Sequence, residues 1–307
     1  MKKKILIVGG TGFLGHNFAK KCLKNNFKVI SISRNKPKKE RFLKKVKYLY
    51  ADISKKKELI KILNFKFNYI VNFGGDVNHH QKITFKSHFN GCKNLANITL
   101  KKKIEKFIQI GSSVEYANQK VPHSEDKKKE NLSKLKSIYA KAKLSSSYYL
   151  LKLFKKKKLP VIILRPYLVY GPGQDTNRLI PFVIKNCLKN EKFPCSNGLQ
   201  LRDFVYIDDA INLIFESLKN RKIEGEIFNL CSGKPIKVKE VINLINKKIN
   251  KGKPEFGKIL FRKDEVIRFY GNPNKAKKIY NWKVKTNIKE GLNRTIKFYE
   301  NYFKKNY

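Results

Sequence analysis

Residues 5–15 read ILIVGGTGFLG. Four apolar residues run into glycines at 9, 10, 12 and 15, and FLGHNFAKKCLKNN (13–26) follows with helical spacing of Phe13, Leu14, Phe18, Cys22 and Leu23. A strand, a glycine turn and a helix in that order are the setting a dinucleotide-binding turn needs. The glycines allow a tight bend and close backbone approach, and the helix N-terminus faces a pyrophosphate. Gly9, Gly10, Thr11, Gly12, Phe13, Leu14 and Gly15 are therefore the first candidate cofactor contacts. A plain glycine turn is the competing reading.

The rhythm continues outward. KVISIS (28–33), VKYLYADI (46–53), FNYIVNFGG (67–75), EKFIQIGSS (105–113) and LPVIILRP (159–166) read as strands. KKKELIKILN (55–64), ITFKSHFNGCKNLANITL (83–100) and LKSIYAKAKLSSSYYLLKLF (135–154) read as helices between them. Such alternation predicts right-handed crossovers and a parallel sheet. The expected fold class is α/β: a Rossmann-type doubly wound parallel sheet with a smaller C-terminal substrate lobe. Residues 1–165 plus about 203–232 are assigned to the sheet domain, and about 166–202 plus 233–307 to the lobe.

Ligands in such sheets sit at the carboxyl ends of the strands. That edge marks Asp52, Ile53, Phe73, Gly74, Gly75 and Pro166 as cofactor contacts. Asp52 can accept from an adenine amino group or cap the following helix. The second strand ends in Ser33 and Arg34, where an NAD site usually carries a carboxylate for the ribose 2′-hydroxyl. A hydroxyl and a guanidinium suit a 2′-phosphate, so NADP is favoured modestly over NAD.

Tyr139 and Lys143 share a helix face, as residues four apart do. Spacing alone says little. Lys+Arg is 70, all but nine of them lysine, so 15 tyrosines should give about three such pairs by chance. Three occur: Tyr116/Lys120, Tyr139/Lys143 and Tyr148/Lys152. Position breaks the tie. Tyr139 lies at the start of its helix, at the ligand edge. Tyr148 lies roughly 13 Å further along at 1.5 Å per residue, and Tyr116 falls in a loop. Ser112 ends the fifth strand at the same edge. A phenol beside an ammonium can exchange a proton with a substrate oxygen that the serine holds, while a bound nicotinamide exchanges hydride.

The formal net charge of +47 admits nucleic-acid or membrane binding. The lysines are spread through every segment, however, and no nucleic-acid-binding motif accompanies them, so neither partner is assigned. No run reaches the length of a membrane span, and the opening MKKKILIV is not read as a signal peptide. Five scattered cysteines without a C-x-x-C read as reduced thiols, which predicts a cytoplasmic protein. Asp76, His79, His80 and His88 gather in GGDVNHHQKITFKSHF, yet without metal-ligand spacing, and no metal is assigned. Cys195 is read as a lining or core residue.

GGTGFLG, GSS, YAKAK, LRPYLVYGPGQ, LRDFVYIDDA and NPNKAKKIYNWKVKTNIKEGL occur in that order between Lys4 and about Phe298. Together they resemble the extended short-chain dehydrogenases of the NAD-dependent epimerase/dehydratase type, which act on nucleotide sugars. The resemblance implies Ser112, Tyr139 and Lys143 as a catalytic triad. It also implies a lobe that binds the nucleotide-sugar diphosphate, with Arg202 and Arg262 on phosphate and Ser113, Asn177 and Leu179 near the substrate. A homodimer is a family expectation. Ser113 and Val114 stand where family dehydratases carry an Asp-Glu pair, and Glu115 is displaced from it, which argues against dehydration. His88 replaces a usual Asn, and Leu168 replaces an Asn that sugar 4-epimerases often use. The reading is a 4-ketoreductase of a 4-keto-6-deoxy nucleotide sugar. The rivals are a 4-epimerase, a regulatory or RNA-associated protein on the same scaffold, and a catalytically dead relative.

Overall fold

The computed structural model describes residues 2–76, 81–126, 130–219, 223–261 and 265–306. Strand β1 (Lys4–Val8) buries Ile5, Leu6, Ile7 and Val8. Unbroken apolar sequence is what a parallel strand covered on both faces requires. It pairs in parallel with β2 (Lys28–Ser33) on one side and β4 (Tyr69–Asn72) on the other. Parallel pairing extends from β2 to β3 (Val46–Tyr50), from β4 to β5 (Lys106–Ile110), and on to β6 (Val161–Pro166). With β10 (Glu226–Leu230) the order is β10-β6-β5-β4-β1-β2-β3. The winding reverses between β1 and β4, so the crevice that such sheets use for ligands opens beside the glycine turn.

Helices α1 (Phe13–Lys24), α2 (Lys56–Ile62), α3 (Gln81–Phe85), α4 (Gly91–Thr99) and α5 (Ile138–Lys157) connect these strands. Leu6, Ile32, Ile70, Cys92, Leu95, Phe107, Leu150 and Ile163 belong to one buried cluster. Each large apolar side chain so buried contributes roughly 1.5–3 kcal/mol. The segment expected as one helix over 83–100 is interrupted. Lys86–Asn90 forms a π turn between α3 and α4. One extra residue per turn rotates the helix face there, and such turns cluster at functional sites.

The described chain divides into two compact units. The first comprises Met1–Gln119, Glu125–Pro166 and Ile211–Asn229, and holds the sheet. The second comprises Lys120–Ser124, Tyr167–Ala210 and Leu230–Tyr307. In it β9 (Leu201–Tyr206) pairs with β7 (Leu168–Tyr170), β11 (Pro235–Lys237) and β13 (Arg268–Phe269). Residues 203–210 accordingly fall in this unit rather than with the sheet. β8 (Lys192–Cys195) pairs with β12 (Lys253–Phe256). Two buried aspartates bind the second unit internally. Asp203 accepts from the amides of Ser232 and Gly233, and Asp209 accepts from those of Lys285 and Thr286. Among the described residues no helix is long and apolar enough to cross a membrane.

Candidate active site

The glycine turn is built for close approach. Gly9 has φ +79° and its N–H donates to the Ile32 carbonyl at 2.7 Å. A Cβ at Gly10 would stand 2.4 Å from Ser31 Oγ, and one at Gly15 would stand 2.3 Å from the Gly9 carbonyl oxygen. Larger residues would therefore push the turn open. Gly12 caps α1 without a side chain, and no acidic residue follows in its first turn. The positive end of the helix is thus presented to an anion, which fits a pyrophosphate. Phe13 and Leu14 are half-buried at the start of α1. Phe73 donates its amide to the Val8 carbonyl, and Gly74 donates its own to the Asn72 side chain.

The end of β2 carries the recognition groups. Ser33 Oγ accepts from the Thr11 N–H at 3.4 Å. Arg34 is half-exposed, with its guanidinium 3.6 Å from Asp76 Oδ1. Arg41, which the sequence reading passed over, is buried and donates to the Thr11 carbonyl at 3.4 Å. Its own carbonyl meets His16 Nδ1 at 2.9 Å, and burial holds the His16 imidazole down to about 4. The loop that carries Arg41 is thereby fastened to α1. Asp52 does not cap α2, whose N-cap is Lys55; its Oδ1 accepts from the Ser54 N–H in a tight turn. Ile53 is buried in the sheet cluster. Its side chain fills the space a Cβ at Gly74 or Gly91 would need. Pro166 is half-buried at the end of β6.

Ser112 follows β5 and caps a short 3₁₀ turn, Ser113–Tyr116. Its hydroxyl faces the Val114 N–H at 3.4 Å, and its own N–H donates to Glu115 Oε1 at 2.7 Å. Ser137 caps α5 through the Ala140 N–H, which places Tyr139 in the first turn. Lys143, buried, donates to the Ile110 carbonyl at 2.8 Å and stands 5.8 Å from the Tyr139 ring centre. The carboxyl end of β5 thus meets the helix face that carries the tyrosine. His88, in the π turn, packs edge-on to the Tyr139 ring at 5.0 Å and hydrogen-bonds the Asp76 carbonyl through Nε2. A Cβ at Gly75, φ +144°, would overlap the His88 ring, so only glycine leaves that ring its place.

The competing tyrosines differ in surroundings. Tyr116 lies in the 3₁₀ turn rather than in an open loop. It is fully buried, its hydroxyl donates to Asn229 at 2.7 Å, and burial raises its pKa. Burial likewise raises that of Tyr148, further along α5.

Glu115 is absorbed by a buried network. Its Oε2 accepts from Ser147 at 2.7 Å and from Arg165 Nε at 3.0 Å, and Arg165 Nη1 donates to Glu130 at 2.6 Å. Burial opposes the charge of Arg165, yet Glu115, the Tyr116 phenol and Glu130 together raise its pKa. This network also escaped the sequence reading, because its members lie 15 to 50 residues apart.

In the second unit, Arg202 donates to the Leu201 and Val266 carbonyls and pairs with Glu265. Burial lowers its pKa. Asn177 is exposed before α6 (Leu179–Leu188), which Leu179 begins, half-buried; Ser113 is buried in the first unit. Arg262, His79 and His80 lie outside the described residues. No group of three or more His, Cys, Asp or Glu suited to a metal occurs among the described residues. Cys195 is buried, which pushes its thiol up to about 11. Such a thiol stays protonated and is a poor nucleophile.

Residues 5–231 match the model of the NAD dependent epimerase/dehydratase family. An uncharacterized protein of Methanocaldococcus jannaschii is 30% identical, over 95% of this chain and 94% of that one. A putative UDP-glucose 4-epimerase of the same organism is 28% identical over 97% and 98%. The crystal structure of a Thermotoga maritima UDP-glucose 4-epimerase with UDP-glucose superposes with a TM-score of 0.89 at 22% identity, covering 98% of this chain and 99% of that one. A match spanning the glycine turn, the serine, the tyrosine–lysine helix and most of the sheet assigns this chain to the NAD-dependent epimerase/dehydratase family.

Proposed function

We propose that the chain transfers hydride at C4 of a nucleotide sugar without loss of water, and that it does so as an NADPH-dependent 4-ketoreductase. The observation that carries the choice of cofactor is the end of β2. Ser33 and Arg34, rather than a carboxylate, end the strand in sequence; Ser33 lies against the Thr11 amide, the Arg41 guanidinium reaches the Thr11 carbonyl, and the Arg34 guanidinium stands 3.6 Å from Asp76. Arginine forks suit phosphate oxygens. When bound, the nicotinamide supplies the hydride. Tyr139 gives the proton to the substrate oxygen, Ser112 orients that oxygen, and Lys143 keeps positive charge behind the phenol. Elimination of water needs a free acid beside the serine. Ser113 and Val114 offer none, and the Glu115 carboxylate is occupied by Ser112, Ser147 and Arg165.

A second reading, the 4-epimerase, is favoured by the putative UDP-glucose 4-epimerase that aligns over nearly the whole chain. In it the C4 hydride would pass to a retained NAD+ and return to the other face, while Tyr139 takes the hydroxyl proton and returns it. Incubation with 4-keto-6-deoxy nucleotide sugars and with UDP-hexoses, each with NADPH or NADH, separates the two by chromatography and absorbance at the nicotinamide band. Stoichiometric NADPH consumption with a 4-hydroxy product is expected. Interconversion of UDP-hexoses by protein that retains NAD+, with no net consumption, would sink the reductase.

A further inference from the structure

We propose that Glu115 is a positioning residue for the triad, acting through Ser112 and through Ser147. The proposal rests on the reading of Ser112, Tyr139 and Lys143 as the reacting groups. One carboxylate gathers hydrogens from three elements. Oε1 takes the Ser112 N–H at 2.7 Å, on the turn after β5. Oε2 takes the Ser147 hydroxyl at 2.7 Å, on α5, four residues beyond Lys143 and eight beyond Tyr139. The same oxygen meets Arg165 Nε at 3.0 Å and Nη2 at 2.8 Å, on β6. Gly111 makes room for it, since a Cβ there would stand 2.5 Å from Oε1.

The cost of this arrangement argues against a purely stabilising purpose. Arg165 and Glu115 are fully buried, and a buried ion pair is often no more stable than apolar side chains of the same volume. What it supplies is a fixed register. The serine's backbone and the helix bearing the tyrosine and lysine are held by one rigid, charge-assisted junction, and hydride transfer is sensitive to errors of an ångström.

Ser147→Ala removes only the tie to α5, Ser147→Thr keeps the hydroxyl, and Glu115→Gln keeps the shape without the charge. Two readouts follow each variant. The first is kcat against KM. The second is the fluorine NMR signal of Tyr139 in 3-fluorotyrosine-labelled protein saturated with its oxidised cofactor, identified by its absence in Tyr139→Phe. Ser147→Ala is expected to lower kcat about tenfold with KM within about twofold, and Glu115→Gln to lower it about a hundredfold. In Ser147→Ala the Tyr139 signal should move while the signals of tyrosines that touch neither α5 nor the Glu115–Arg165 pair hold, and Ser147→Thr should restore kcat and the Tyr139 signal. An unchanged kcat and an unmoved Tyr139 signal in Ser147→Ala would overturn the proposal. So would a loss in which all tyrosine signals and the melting temperature shift together. If Glu115→Gln does not fold, the Ser147 pair decides. If the wild-type protein turns over no nucleotide sugar, the functional reading fails, and the fluorine signal still decides the role of Glu115.

Discussion

In the proposed reaction the proton passes through one oxygen atom, that of Tyr139. Replacing it by Phe should lower kcat about 10²- to 10⁴-fold, the range for loss of a positioned proton donor. Cofactor binding and melting temperature should hold. Tyr148→Phe, on the same helix but two and a half turns on, should leave turnover within about twofold, and steady-state kinetics compare the two. At the cofactor, Arg34→Ala should weaken NADPH binding about tenfold while sparing NADH, because a charge-assisted contact to the 2′-phosphate would be lost. A fluorescence titration measures both. The position of Tyr139 in the first turn of α5 was legible in the sequence, because the helix follows a strand and a Ser cap. Arg41 was not, since nothing in KERFLKK distinguishes it from its basic neighbours until the loop folds back on Thr11. Glu115 was visible only as a departure from a familiar pattern. Its meaning required the positions of Ser147 and Arg165.

At the level of elements, the glycine turn and α5 do most to place the site. Gly15→Ala should lower both the melting temperature and cofactor affinity, because the new methyl would meet the Gly9 carbonyl oxygen at 2.3 Å. Calorimetry with and without cofactor resolves the two effects. Ser137→Ala removes the side-chain cap of α5, which should cost about 1 kcal/mol in chemical denaturation. The central strands β1, β4, β5 and β6 were legible because buried parallel strands are largely apolar runs, whereas the edge strand β3 is mostly exposed or half-buried. β7, β11 and β13 are two or three residues long, too short for any periodicity to register. The π turn was equally hidden: KSHFN has ordinary helical composition, and only packing against Gly75 and Tyr139 explains why the helix widens there.

For the whole molecule, stability and encounter rate carry the predictions. The His16 pKa is depressed on folding to about 4, from the 6.5 of an exposed imidazole. Between those values the unfolded chain binds the proton and the folded chain does not. Folding stability should therefore fall as pH drops from about 6.5 to about 4, by at most about 3 kcal/mol. Urea denaturation across that range, flattened in His16→Gln, tests it. The net charge of +47 should draw anionic sugar nucleotides inward. kcat/KM should then decline steeply as salt rises, with kcat nearly constant.

The five cysteines have a practical consequence. All are buried, Cys22 and Cys92 in one unit and Cys187, Cys195 and Cys231 in the other. A thiol reagent can label them only when the surrounding packing opens. Mass spectrometry of partly labelled protein would thus time the opening of each unit separately, with no added probe. The sequence already carries two sets of clocks, one on α1 and α4 of the first unit and one within the second.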